Sequence, residues 1–431
     1  MTTETASDRA PNRSPNRSLW RHRDFMLLWG GETVSHVGTQ VSMLALPLVA
    51  ITVLDVTPFQ MGLLTAAETL AFLLVGLPAG AWLDRTRRRP VMLAADVARG
   101  LLLASVPLAW WAGVLTFAQL IVVALLVGFA TVFFDVAYQS YLPSLVGRSL
   151  LVDGNGKLES TRALAHIGGP ALGGGLVQLL GATTAVVVDS ISYFLSALAL
   201  KAIRTREPEP EPAEQQRLRN QIAEGLRFVL RHRLLRPITA CTGTSNFFSG
   251  MTAAVIVIFF SRDLGLSAGT IGLLFAAGGI GGVLGAMTTS WWTRRVGQAR
   301  TIWLVGIFTF PGALLVPLAE PGWKVILIVV ADVLIGYGVV VYNVAQVSFR
   351  QAITPDRLLG RMNASIRFLV WGTMPLGGLA GGALGELIGV RETLWVAAIG
   401  GVLAMAWVIA SPLRGMRDLP QDDAESAAAV R

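Results

Sequence analysis

Two acidic side chains interrupt long apolar stretches of this sequence. Glu68 lies near the middle of one stretch, and Asp332 about a third of the way into another. An ionisable group held in lipid is costly, so each is a functional candidate. Because burial disfavours the charged form of a carboxyl group, either residue could exchange a proton near neutral pH. The alternative is that each carboxyl group is hydrogen-bonded or paired and has a structural role only.

Further polar side chains have the spacing of a helix face. Glu32, His36 and Gln40 are four residues apart, so a helix would place them in one stripe. The other polar candidates within apolar stretches are Asn246, Tyr337, Tyr342 and Asn343. If the helices that carry these residues surround one cavity, we expect the set to bind a proton and a small molecule there.

The composition is that of a membrane protein. Apolar residues make up 53% of the 431 residues and charged residues only 14%, against about 25% charged in soluble domains. A bilayer core of about 30 Å needs about 20 apolar residues per helix. We therefore predict an all-α polytopic membrane protein with twelve transmembrane helices. The predicted spans are Phe25–Leu54, Phe59–Leu83, Val91–Gly113, Phe117–Tyr141, Ser160–Leu180, Thr183–Ile203, Ile238–Ser261, Ser267–Trp292, Thr301–Ala319, Trp323–Phe349, Asn363–Ile388 and Thr393–Pro412.

The basic residues predict the orientation of these spans. Of the 35 Lys and Arg residues, 29 lie in the two tails and in the loops on one predicted side, while the other side holds Arg262, Lys324 and Arg391. Basic loops favour the cytoplasmic face, so both termini are expected inside the cell. The net charge of +8 arises from these loops, which argues against a nucleic-acid partner.

A long polar connection divides the spans six and six. Its proline–glutamate repeat is typical of a linker, and residues at helical spacing then predict an amphipathic helix on the inner membrane surface (Leu218, Ile222, Leu226 and Val229). The alternative is a helix that contacts nothing. The predicted domains are a cytoplasmic tail (1–24), a six-helix bundle (25–203), the linker (204–236), a second six-helix bundle (237–413) and a cytoplasmic tail (414–431).

The two halves share weak internal similarity. A glycine–proline segment in the fifth span, Gly169, Pro170, Gly173 and Gly174, has a counterpart in the eleventh. Pairs of the form G-x-x-x-G occur in the second, fifth, eighth and eleventh spans only, and such pairs let helices approach closely. We interpret these glycines as an interface along which two bundles related by a pseudo-two-fold axis rock, with static packing as the alternative.

The short turn between the second and third spans carries one acid and four arginines. Asp135, near the same end of the fourth span, lies within expected reach. An arginine–carboxylate pair there would clamp the helices on the inner side. We therefore predict a cytoplasmic latch formed by Gly80, Asp84, Arg85, Arg88, Arg89 and Asp135. Asp96 and Arg99, three residues apart, are expected to form a local ion pair.

Motifs for catalysis, nucleotides and metals are missing from the sequence. The four histidines are dispersed, the one cysteine, Cys241, cannot form a disulfide framework, and no phosphate-binding glycine loop is present. We predict no enzyme activity, no cofactor and no metal site. An ion gradient remains as the energy source for any active transport.

Several stretches resemble the major facilitator superfamily. The turn between the second and third spans is similar to that family's G-x-x-x-D-R/K-x-G-R-R/K loop, with Arg87 in place of the second glycine. Other segments resemble its enterobactin-exporter and macrolide-efflux branch, above all Tyr342–Ser348 and Thr354–Asn363. The span 5 segment resembles a motif of antiporters, with Ala165 in place of the upstream glycine. The resemblance implies the major facilitator fold and proton-driven export.

We therefore expect a secondary active transporter in the cell membrane that exports drugs, siderophores or other amphipathic natural products by proton antiport and alternating access. Two alternatives stay open: an uptake symporter or facilitator, and a non-transporting membrane receptor or assembly factor with the same fold. The expected partners are a small-molecule substrate, protons and the lipid bilayer, and we expect a monomer.

Overall fold

The computed structural model describes residues 19–83, 86–147, 150–205, 207 and 218–418. These residues are helical throughout, with short connections. The α-helices are α1 (Arg23–Val53), α2 (Pro58–Leu83), α3 (Arg88–Trp111), α4 (Phe117–Val146), α5 (Leu151–Leu180), α6 (Ala182–Ala202), α7 (Leu218–Arg231), α8 (Leu235–Ile258), α9 (Ala268–Val296), α10 (Gln298–Thr309), α11 (Ile326–Ala352), α12 (Asp356–Trp371), α13 (Thr373–Ile388), α14 (Val390–Leu403) and α15 (Ala406–Ile409).

Eleven helical segments of the described chain are long and apolar enough to cross a bilayer. The predicted ninth span is not among them. It consists of α10 followed by a 3₁₀ helix, Phe310–Leu315. Pro311 lacks a backbone N–H and cannot continue the α-helical hydrogen bonds. The predicted eleventh span is also not one α-helix: it holds the second half of α12 and all of α13, which meet at Gly372.

Single glycines make the tightest turns. Gly181 separates α5 from α6, Gly297 separates α9 from α10, and Gly389 separates α13 from α14. Their φ values are 83°, 98° and 103°, which only glycine adopts without strain. Consecutive helices therefore turn back on each other with almost no loop.

The helices form two bundles of related design. In the first half α1 packs on α5 and α6, and α3 and α4 complete the bundle with α2. In the second half α8 packs on α13 and α14, and α9 packs on α11. Contact between the halves is made chiefly by α2 with α13 and by α5 with α9.

The amphipathic helix of the linker is α7, and it packs on α12 of the second half. Val229 is fully buried and packs with Met362 and Ile366 of α12. A side chain at Gly225 would collide with the carbonyl oxygen of Arg361. The buried side of α7 therefore lies on the second half, and the alternative of a helix that contacts nothing is wrong. Its position on the inner membrane surface stays a prediction. The remaining parts of the linker and of both tails (1–18, 206, 208–217 and 419–431) lie outside the described residues.

Candidate functional site

A cavity of about 270 Å³ lies between the two halves. Phe72 and Gly76 of α2 and Val132 and Val136 of α4 line it from the first half. The second half contributes one face of α12 and Gly372. The cavity lies towards the end of the bundle that carries the basic loops, because α2 ends and α12 begins there.

Aromatic rings and one guanidinium form a wall of this cavity. The rings of Phe72 and Trp371 approach across the halves, with centroids 5.3 Å apart. The guanidinium carbon of Arg367 lies 5.8 Å from the first centroid and 5.7 Å from the second. Such distances allow cation–π attraction. Arg367 lies within the predicted eleventh span and was not among the predicted site residues.

At the opposite end the two halves touch through glycines. A Cβ on Gly62 of α2 would lie 2.7 Å from the Cα of Gly382 in α13. A Cβ on Gly174 of α5 would lie 2.9 Å from the Cα of Gly272 in α9. The backbones are therefore too close for any larger residue, as in other close helix crossings in membranes.

The four residues of the glycine–proline segment serve two contacts. Gly169 and Gly173 pack on Gln40 and Val41 of α1, within the first half. Gly174 and the carbonyl oxygen of Pro170 lie against α9, in the second half. One face of α5 thus belongs to the bundle and the adjacent face to the boundary between the bundles.

Polar contacts accompany the glycines at this closed end. The backbone N–H of Gly269 donates to Oε1 of Gln178 over 3.0 Å. Arg262, after α8, donates to Oδ1 of Asp55, after α1, over 2.5 Å. Both contacts join the first half to the second, so they must break if the halves separate here.

Glu68 lies one turn from the cavity wall. It shares a face of α2 with Phe72 and Gly76, at intervals of four residues. Gly128 of α4 packs on its backbone. Within the described part of the chain its carboxyl group has no ion pair and no hydrogen bond.

Asp332 is in a different place. It lies where α11 packs on α9, near Gly278, and not among the residues that line the cavity. Its Oδ2 atom is buried and has no hydrogen-bond partner among the described residues. The structure therefore does not bring Asp332 and Glu68 together.

The other predicted polar residues of the second half mostly join helices. The Tyr337 hydroxyl accepts from Trp292 Nε1 over 2.7 Å. Tyr342 and Thr242 share a hydrogen bond of 2.8 Å, and Asn246 donates to the carbonyl oxygen of Val370 over 3.1 Å. Asn343 accepts from Gln346 of its own helix over 3.4 Å.

The predicted stripe on α1 is present. Nε2 of His36 lies 3.5 Å from Oε2 of Glu32. Glu32 is only 4% exposed, and its Oε1 atom is buried with no partner in the described chain. Gln40, one turn further, packs on Gly169.

The predicted ion pair between Asp96 and Arg99 is confirmed and is more than local. The Arg99 guanidinium lies between two aromatic rings, 4.3 Å from the centroid of Phe134 and 4.2 Å from that of Tyr193. Its charge also acts on Glu32 and Asp135. Sequence spacing revealed the pair but not the rings, because the rings come from α4 and α6.

The latch was expected to pair the arginine turn with Asp135, whereas Arg88 and Arg89 have other partners. The backbone N–H groups of Arg88 and Arg89 donate to the carboxylate of Glu207 over 2.7 and 3.1 Å. Arg89 also donates to the carbonyl oxygen of Leu200. Asp135 instead lies in the field of Arg99, Arg162 and Arg367. Gly80 lies in the last turn of α2, whereas Asp84 and Arg85 lie outside the described residues.

A family model described as "Transmembrane secretion effector", from the major facilitator superfamily, matches residues 16–429. The chain belongs to this family. It is therefore a multi-pass protein of the cell membrane and a secondary transporter that exports small molecules, not an enzyme.

Named relatives agree with this assignment. The multidrug efflux pump Tap of Mycobacterium tuberculosis is 29% identical over 380 residues, which cover 84% of this chain and 88% of the pump. The enterobactin exporter EntS of Shigella dysenteriae is 29% identical over 362 residues, which cover 79% of this chain and 80% of the exporter.

Solved structures share the fold. A bacterial homologue of the iron transporter ferroportin in an inward-facing state has a TM-score of 0.73 at 16% identity, covering 91% of this chain and 99% of that protein. The nucleoside transporter NupG has a TM-score of 0.74 at 12% identity, and the match covers 90% of this chain and 98% of NupG. The chain thus has the major facilitator fold.

Proposed function

We propose that this transporter exports amphipathic small molecules in exchange for protons, with the two halves rocking about the cavity. The observation that carries the proposal is the cavity itself, which both halves line and which has Glu68 one turn from its wall. The names of the relatives point to drugs or siderophore-type natural products as substrates.

The basic loops indicate which side of the membrane the cavity faces. If they face the cytoplasm, as is general for such loops, both termini are cytoplasmic and the cavity opens inward while the outer end is closed. Twelve crossings follow if α10 with its 3₁₀ extension counts as one. The transporter works as a monomer, since one chain supplies both halves of the cavity.

Three carboxylic acids are the proposed proton sites. Glu68 is the first, because the substrate cavity adjoins its helix face and no described group neutralises its charge. Asp332 and Glu32 each have a buried carboxyl oxygen without a partner. Protonation from the outside and release to the inside would return the empty transporter to its loading state.

The test is transport in proteoliposomes that contain a pH-sensitive dye. A panel of amphipathic compounds is supplied on the cavity side, and substrate and proton movements are recorded together. Antiport predicts that each accepted compound drives protons in the opposite direction. Co-directional proton movement would establish a symporter and overturn the proposal, as would substrate movement without protons or no movement of any compound.

A further inference from the structure

One face of α12 changes from polar to aromatic as it enters the cavity. Asn363, Arg367 and Trp371 are four residues apart, and all three line the cavity. Asn363 is nearest the start of the helix and Trp371 is its last residue. The polar groups thus lie nearer the basic end of the bundle than the ring does.

Arg367, on α12 of the second half, differs from Arg99, which is buried within the first bundle. Arg99 has Asp96 as an ionic partner. Arg367 has no ion pair and no hydrogen bond with any described residue, and its guanidinium lies over the rings of Phe72 and Trp371. A guanidinium that shares its cavity with rings, and not with a bound carboxylate, keeps its donors available for a ligand.

Asp135 does not cancel this charge. It lies beside the cavity-lining residues Val132 and Val136 on α4, but three arginines, Arg99, Arg162 and Arg367, act on it together. Arg99 is already paired with Asp96, and Arg162 lies 4.0 Å from Glu159, so Arg367 is the one of the three arginines without an ion pair among the described residues. An anionic group placed beside Arg367 therefore gains more than a cationic group would.

We infer that the wall formed by Phe72, Arg367 and Trp371 selects substrates with a flat aromatic body and an anionic group. The aromatic body packs on the two rings, and a carboxylate, phenolate or sulfonate accepts hydrogen bonds from the planar guanidinium. Asn363 supplies a further amide donor one helical turn from Arg367. This inference names the substrate class of the proposed exporter and therefore rests on that proposal.

The test uses two probes with one aromatic body and opposite charges, pyrene-1-sulfonate and pyrenylmethylammonium. Binding to the full-length protein in phosphatidylcholine nanodiscs is measured by calorimetry, with empty nanodiscs subtracted. The wild type is expected to bind the sulfonate about tenfold more tightly, the effect of one charge-assisted hydrogen bond. Arg367→Gln should bring the two affinities to parity, while Arg367→Lys should retain part of the preference.

Two further variants make the result specific. Arg233→Gln removes an exposed arginine outside the cavity and should leave the preference unchanged. Phe72→Ala should weaken both probes equally, because it removes ring contact and no charge. The inference is overturned if the wild type prefers the ammonium probe, or if Arg367→Gln retains the sulfonate preference.

Transport of the same probes separates this inference from the proposed function. Gradient-driven export of the ammonium probe without any sulfonate preference would overturn the inference and leave proton-coupled export intact. Sulfonate preference in binding without export of either probe would support the subsite and count against the exporter.

Discussion

At the scale of single residues, the protein treats its buried charges in two ways. Asp96 and Arg99 neutralise each other between two aromatic rings, so their charges stay fixed. The carboxyl group of Glu68 has no such partner in the described chain, so its charge must be avoided or compensated by a proton. This difference separates a structural acid from a candidate for coupling.

Glu68→Gln should abolish export driven by a pH gradient. The amide has nearly the shape of the acid but cannot release a proton, so gradient-driven export should fall to the level of empty vesicles while substrate exchange without a gradient continues. Asp332→Asn is expected to lower gradient-driven export as well. The measurement is proteoliposome transport between pH 6 and 8, with the exposed Glu159→Gln as the control. Normal pH-dependent export by both variants would remove these acids from the coupling mechanism.

Asp96→Asn should destabilise the protein, because it leaves a buried guanidinium without a counter-charge. Breaking one partner of a buried pair costs about 3–5 kcal/mol. Asp153→Asn breaks the Lys157 pair, in which the Asp153 side chain is 51% exposed, and an exposed pair contributes only about 0–1 kcal/mol. Thermal unfolding in detergent compares the two variants. Equal unfolding temperatures would show that the pair beneath Phe134 and Tyr193 adds no stability.

At the scale of helices, the sequence was most informative where apolar runs are long. Spans such as α2 and α4 were predicted within a few residues at their starts. The ninth predicted span is not one continuous α-helix, because a hydropathy run does not register the change to a 3₁₀ helix at Pro311. The contact of α7 with α12 could not be predicted, because an apolar face fits either lipid or protein and only the fold brings α12 beneath it.

The site was predictable only in part, for the same reason. Charged residues within spans are visible in a sequence, and Arg367 carried that signal. Which of them meet is decided by helix rotation and by contacts across the halves. Sequence therefore indicated Glu68 and Asp332 equally, whereas the structure puts only Glu68 beside the cavity. Phe72 and Trp371 gave no signal, since aromatic residues are common in such spans.

Gly174→Leu should prevent closure of the outer end. A side chain there would meet the backbone of α9 at Ala268 and Gly272, whereas the neighbouring Gly175 has nothing within 4 Å. Disulfide formation between cysteines introduced as Asp55→Cys and Arg262→Cys reports closure, and the native Cys241 is buried. Cross-linking should fall in Gly174→Leu and stay at the starting level in Gly175→Leu. An equal yield in both would mean that this glycine contact does not hold the halves together.

At the scale of the whole molecule, contacts and free space lie at opposite ends. The halves meet through Gly62 with Gly382, through Gly174 with Gly272, and through Asp55 with Arg262. The cavity lies nearer the other end, where α12 begins. Because each bundle is packed internally as a unit, the simplest motion separates one end as it closes the other.

Electron–electron distance measurements between spin labels on the two bundles test this motion most directly. One pair, Val114 and Leu318, is exposed at the closed end, and the other, Ser140 and Gln351, is exposed at the basic end. When substrate is added or the pH is lowered, rocking predicts that the second distance shortens as the first lengthens. Distances that stay fixed at both ends, or that change in the same direction, would contradict a transporter whose halves rock about the cavity.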